Sequence, residues 1–104
     1  MENLPKLSHT AAMILQAIDA GNRYGLGVME ATGLPSGSVY PALRRLERDG
    51  LILSRWEAEK IAESEGRPAR KYYEATKLGD TVLTASRKRY PHLAALFRER
   101  KTAK

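Results

Sequence analysis

Apolar residues recur at helical spacing through the first half of the chain, and the period then shortens to that of a strand. Positions 11, 14, 15 and 18 follow the i, i+3, i+4, i+7 rule behind Ser8, a good N-cap. This predicts a helix from about His9 to Ala20, ended by Gly21-Asn22. A short second helix is expected from about Tyr24 to Ala31, on Leu26, Val28 and Met29. Gly25 and Gly27 weaken it by ~1 kcal/mol each relative to Ala, so tertiary packing must hold it. A third helix, capped by Ser36 or Ser38, runs to Asp49 and stops at Gly50. Val39, Ala42, Leu43 and Leu46 form its stripe, while Tyr40, Pro41, Arg44, Arg45 and Arg48 fall off it. Pro41 is read as lying in the first turn, where its missing N–H costs little.

From Leu51 to Glu57 apolar and polar residues begin to alternate, as in a strand, and Lys71 to Thr76 reads as its partner. The polar stretch from Ala58 to Arg70 is a long hairpin loop, with a turn of helix at Ile61-Ala62. Tyr72 and Tyr73 point to opposite faces, so one of them belongs to the core. Trp56 is expected to pack. Thr76 caps a last helix carrying Leu78, Val82, Leu83 and Ala85. Pro91 interrupts its pattern, which resumes at Leu93, Leu96 and Phe97 as one kinked helix or two.

Three helices, two strands around a long loop, and a final helix make a mainly α fold with a small β-hairpin. This is the element order of a winged helix-turn-helix. Residues 1–76 form the winged part and 77–104 a C-terminal helical segment with a basic tail, in one compact domain. The third helix docks by its stripe and presents Ser36, Gly37, Ser38, Tyr40, Arg44, Arg45 and Arg48 outward. Small residues let a helix end approach base edges closely. Arginines reach phosphates, or guanine edges bidentately. Arg67, Arg70 and Lys71 at the hairpin tip and strand entry are placed to grip the DNA backbone.

At these residues a family resemblance becomes specific. The stretch Gly37-Ser38-Val39-Tyr40-Pro41-Ala42-Leu43-Arg44-Arg45-Leu46-Glu47-Arg48-Asp49-Gly50-Leu51-Ile52 resembles the recognition helix of the PadR family of bacterial transcriptional regulators. Gly66-Arg67-Pro68-Ala69-Arg70-Lys71-Tyr72-Tyr73-Glu74-Ala75-Thr76 resembles that family's wing and returning strand. Tyr24-Gly25-Leu26 is similar to the Tyr-Gly pair that opens its second helix. The resemblance implies a homodimeric winged-helix repressor on operator DNA, of the short type with one C-terminal dimerisation helix. It adds Tyr24 and Pro41 to the expected DNA-facing set. Two features depart from the pattern. The wing is rich in acid, with Glu57, Glu59, Glu63 and Glu65, which either face away from phosphate or reduce the wing's part. Some short members bind flat aromatic compounds at the dimer centre through a Trp on the last helix. Here the only Trp is Trp56, and the last helix offers Tyr90 and Phe97. A small-molecule effector is therefore unsupported by the residues.

Composition narrows the alternatives. The 104 residues carry a formal charge of +6, all of it within Arg87 to Lys104, since the other 86 residues balance. The basic pI thus belongs to the C-terminal segment and is not by itself an argument for nucleic acid. There is no Cys, which removes thiolate metal sites and cysteine nucleophiles. No apolar run is long enough to span a membrane and no signal peptide is evident, so a cytoplasmic protein is expected. His9 and His92 have no partner at metal-ligand spacing, and no cofactor is expected. Ser36 lies outside the register of a nucleophile elbow, no phosphate-binding glycine loop is present, and loop glutamates cannot hold an acid–base pair in place. The chain is not expected to be an enzyme. The alternative function is a winged-helix module whose arginine face binds an acidic protein without sequence-specific DNA binding.

The C-terminal segment carries a further expectation. From Lys77 to Arg100 a continuous helix would be roughly 36 Å long, at ~1.5 Å per residue. Leu93, Leu96 and Phe97 would then lie beyond the domain and pair across a two-fold axis with Ile14 and Ile18 of the first helix. The competing arrangement has Pro91 fold this end back onto its own domain.

Overall fold

The computed structural model describes residues 4–97. Its elements are α1 (His9–Asp19), α2 (Gly25–Thr32), α3 (Ser36–Arg48), β1 (Ile52–Trp56), α4 (Glu59–Ser64), β2 (Lys71–Ala75), α5 (Lys77–Arg89) and a 3-10 turn at Pro91–Ala95. Ser8 caps α1 as expected, its hydroxyl accepting from the Ala11 N–H at 3.1 Å. Burial on α1 is wider than one stripe. Ala12 and every residue from Ile14 to Ile18 are buried, because α2, α3, α5, β2 and the 3-10 turn all pack around this helix.

α3 begins at Ser36, but neither Ser36 nor Ser38 caps it. Pro35 occupies the N-cap position, and its carbonyl accepts from the Ser38 and Val39 N–H groups. Pro41 is the sixth residue of the helix, beyond the first turn, so it has no N–H to give to the Gly37 carbonyl. Gly37 is exposed, which leaves that carbonyl open to water. The stripe of Val39, Ala42, Leu43 and Leu46 is buried as its spacing predicts.

β1 and β2 form one antiparallel hairpin, with Ile52 opposite Ala75 and Trp56 opposite Lys71. Ile52, Ser54 and Trp56 share the face turned toward α3, and the Ser54 hydroxyl donates to a Glu47 carboxylate oxygen at 2.6 Å. Tyr73 is the core tyrosine, and Tyr72 stands on the other face. The segment before α2 closes the free edge of β2: the Tyr73 N–H donates to the Arg23 carbonyl at 2.7 Å, and Tyr24 bridges to Tyr72. The hairpin loop holds the helical turn, α4, which buries Ala62.

Thr76 joins the two halves. Its hydroxyl caps α5 at Gly79 and donates to the Gly50 carbonyl at 2.7 Å. A Cβ at position 79 would collide with the Leu51 carbonyl, so only glycine lets α5 approach this closely.

The expectation of an apolar stripe beyond the domain is corrected. α5 ends at Arg89, Tyr90 leaves the helical conformation, and after Pro91 the chain turns back over α1. Proline disfavours the α conformation in the residue before it, which is the position of this break. Leu93 is 0% exposed in the same core as Ile14, Ile18, Val82 and Leu83, and Leu96 and Phe97 pack partly against it. Of the residues assigned to a dimer interface, Ile14, Ile18 and Leu93 are therefore buried within one chain, while Leu96 and Phe97 stay partly exposed. Four hydrogen bonds hold the turn and the end of α5 in place. The Gln16 amide donates to the Leu96 carbonyl at 3.3 Å, Arg87 donates to Gln16 at 3.0 Å and to Asp19 at 3.1 Å, and the Tyr90 hydroxyl donates to the Leu7 carbonyl at 3.0 Å. Arg87 is thus turned onto α1. The basic residues after Phe97 lie outside the described segment, and so does the far end of the expected long helix.

Candidate nucleic-acid interface

One face of α3 is committed to the core, and the opposite face is free. Ser36, Gly37, Tyr40, Arg44, Arg45 and Arg48 are exposed, while Ser38 and Pro41 are partly covered. Arg48 meets Asp49 at 3.4 Å, but both side chains stay open to solvent, so the contact is weak. Among the described residues, no acid lies within ion-pair reach of Arg44 or Arg45. Glu47, the one carboxylate within the helix, is held toward β1 by Ser54. The outer face of α3 is therefore small at its start, aromatic at Tyr40 and cationic beyond.

Tyr40 is positioned by a glycine. A Cβ on Gly25 would run into the Tyr40 ring, so α2 and α3 meet here by direct contact of ring and backbone. The glycine that weakens α2 as a helix is the one that seats Tyr40, a purpose invisible to helix propensity.

The wing uses its cations differently. Arg67 grips Glu57 with two hydrogen bonds, at 2.7 and 3.0 Å, and the Arg70 N–H also donates to Glu57 at 3.1 Å. The Glu57 side chain is only 6% exposed. The Arg67 hydrogen bonds hold its carboxyl at a pKa of about 2, well below the usual carboxylate range, against the opposing effect of burial. Arg67, expected at the phosphates, is a brace inside the hairpin. Arg70 lies over the Tyr24 ring, its guanidinium carbon 4.0 Å from the centroid, and Tyr24 meets Tyr72 edge-on at 5.6 Å. Lys71 remains, its amine 5.8 Å from the centre of the Trp56 ring. Glu59, Glu63 and Glu65 are exposed on and beside α4, while Glu57 is neutralised within the hairpin.

Between α3, the start of α2 and the inner face of the hairpin runs an open groove of about 710 Å³. Leu26, Tyr40, Arg44, Trp56 and Lys71 contribute to its walls. Trp56, expected to pack, is 66% exposed, because it is the last residue of β1 and faces this groove rather than the core. The period-2 alternation from Ile52 through Ser54 already assigned it to this face. What alternation does not show is where the covering helix stops. Of the expected set, the fold thus brings Tyr24, Tyr40, Arg44, Arg70 and Lys71 together around one groove, with Arg67 bracing its rim.

The profile of the transcriptional regulator PadR-like family matches residues 14–85, from the middle of α1 into α5. The chain belongs to the PadR-like family of transcriptional regulators. Solved structures agree in fold with this PadR-family chain. A PadR family transcription regulator from hypervirulent Clostridium difficile is 22% identical, with a TM-score of 0.70 over 85% of this chain and 93% of its own. A PadR-like transcriptional regulator from Bacillus cereus is 25% identical, with a TM-score of 0.63 over 82% of this chain and 84% of its own. A PadR family regulator from Eggerthella lenta is 26% identical, with a TM-score of 0.59 over 80% of this chain and 74% of its own. No curated protein is a match. Among the described residues of this PadR-family protein, no helix is long and apolar enough to cross a membrane.

Proposed function

We propose that this PadR-family chain regulates transcription by sequence-specific binding to double-stranded DNA, with α3 in the major groove and the hairpin against the flanking backbone. The observation that carries the reading is the outer face of α3, where Arg44 and Arg45 stand without an acidic partner among the described residues, beside the small residues Ser36 and Gly37. A helix end of this kind fits the major groove, and free guanidinium groups suit guanine edges or phosphates. Lys71, and Arg70 in its place over Tyr24, supply charge on the neighbouring ridge.

The regulator works as a pair and acts as a repressor. A single winged helix covers one half-site, and two copies with α3 helices ~34–36 Å apart cover two. Because Ile14, Ile18 and Leu93 fill their own core, the pairing uses other surface. The experiment is a gel-shift titration of the protein on DNA from upstream of its own coding sequence, with random duplex as competitor, alongside sedimentation. Expected are a dimer and a preference for upstream DNA of at least ~10³ over random sequence at physiological salt. Equal affinity for both duplexes would instead make the arginine face a docking surface for an acidic protein.

A further inference from the structure

The chain has two histidines, and the fold brings them together from opposite ends of the described sequence. His9 is the first residue of α1, and His92 is the second residue of the 3-10 turn. Their Nε2 atoms stand 3.1 Å apart and both residues are exposed. The rings are tilted by 37°, with centroids 5.2 Å apart. Tyr90 supports the arrangement from one side. Its ring meets His9 edge-on at 4.9 Å, and its hydroxyl is anchored on the Leu7 carbonyl. The turn that carries His92 is pinned by the Gln16 bond to the Leu96 carbonyl and by the burial of Leu93. Two mobile surface imidazoles would not keep this spacing; these two sit on anchored backbone.

We propose that His9 and His92 form a two-imidazole chelate for a divalent transition ion such as Ni2+, Cu2+ or Zn2+. Two imidazole nitrogens at 2.0–2.1 Å from a tetrahedral ion lie about 3.3 Å from one another, close to the spacing found here. The ion replaces the single hydrogen bond between the rings, and a small rotation of each ring aims both lone pairs at it. Solvent exposure leaves the remaining coordination positions to water. Among the described residues, no third His, Cys, Asp or Glu completes a cluster of three, and the Arg89 guanidinium lies over Tyr90, 5.5 Å from its centroid. Among the described residues the nitrogen lone pairs, rather than a carboxylate, recruit the ion. That selects imidazole-seeking ions and excludes Mg2+ and Ca2+, which require oxygen ligands. A bound ion clips the 3-10 turn to the start of α1 and stabilises the folded chain as its free concentration rises.

The test is a calorimetric titration of the untagged full chain with Ni2+, repeated on His9→Ala and His92→Ala, with the imidazole C–H proton signals followed in parallel. The wild type is expected to take one Ni2+ per chain, unaffected by excess Mg2+, with a raised melting temperature. Both histidine signals should broaden together. Each single variant should lose ~10²-fold or more in affinity, because the second ligand of a chelate binds as an intramolecular partner. A loss under tenfold in either variant means two independent imidazoles and overturns the proposal. So does Ni2+ binding that leaves the histidine signals of the wild type sharp, a reading that depends on no variant. Both side chains are exposed, and circular dichroism melts without metal verify that each variant folds.

Discussion

The outer face of α3 and the wing carry similar numbers of basic residues, yet they differ in what those residues are free to do. On α3, Arg44 and Arg45 are exposed with no acid in reach among the described residues, since Glu47 is held by Ser54 and Asp49 meets Arg48. On the wing, Arg67 is tied to Glu57 and Arg70 lies flat on Tyr24, so only Lys71 fronts the groove without an ion-pair or close stacking contact. The acid that makes the wing look hostile to DNA is partly the acid that consumes the wing's own arginine. Net charge along a segment thus says little about its electrostatic reach; what matters is which cations have already been neutralised at short range.

The comparison can be broken or sharpened by substitution. The largest effect should come from the buried side of α3. Leu43→Ala should destabilise the fold by ~2–5 kcal/mol, as a core truncation, in thermal or urea unfolding. A loss below ~1 kcal/mol would mean that the stripe does not anchor the helix. Arg44→Ala should leave unfolding unchanged and cost ~1–3 kcal/mol in operator binding, with relaxed preference at one base pair. An unaltered gel shift would remove Arg44 from the interface.

The third substitution separates the two regions directly. Lys71→Ala should lower the magnitude of the salt slope of DNA binding by roughly one unit, with about equal losses for all sequences. Arg67→Ala should leave that slope alone and instead loosen the hairpin, since it strands the covered Glu57 carboxylate. If both variants shift the slope alike, Arg67 reaches DNA in the complex and the contrast between the regions fails. The smallest effect belongs to pH. Glu57 has a folded-state pKa of about 2, below its ordinary value of 4.5. Its contribution to stability is therefore full above the ordinary value and is lost as pH falls from there toward 2. Glu57→Gln should flatten this part of the acid unfolding profile; an identical profile in the variant would show that the pair contributes nothing.

The periodic parts of the molecule could be read directly from the chain. The α3 stripe, the split of Tyr72 and Tyr73 onto opposite faces and the caps at Ser8 and Thr76 follow from spacings of one to four residues, and each side chain acts on its own neighbourhood; which tyrosine enters the core did not follow. What could not be read depends on long-range partners. Gly25 gives no sign in α2 that the Tyr40 ring will lie on it. Glu57 and Arg67 are separated by a helical turn whose geometry decides that they meet. Pro91 announces a break but not its direction, and the direction is decided by Gln16 and Leu7, 80 and 83 residues away from the groups they hold. The same fold-back made the histidine pair, which no ligand spacing could disclose.

That closure has a consequence for how the protein is made. α1 lies at the centre of the core, yet its full cover includes α5 and the 3-10 turn, the last described elements to be synthesised. At ~5–20 residues per second, on the order of ten seconds separate the synthesis of Ile14, Leu15 and Ile18 from that of Leu93. During that interval this largely buried helix waits without the last part of its cover. Contacts spanning almost the whole chain also raise its contact order, so closure by Leu93, rather than formation of any helix, should set the pace of folding.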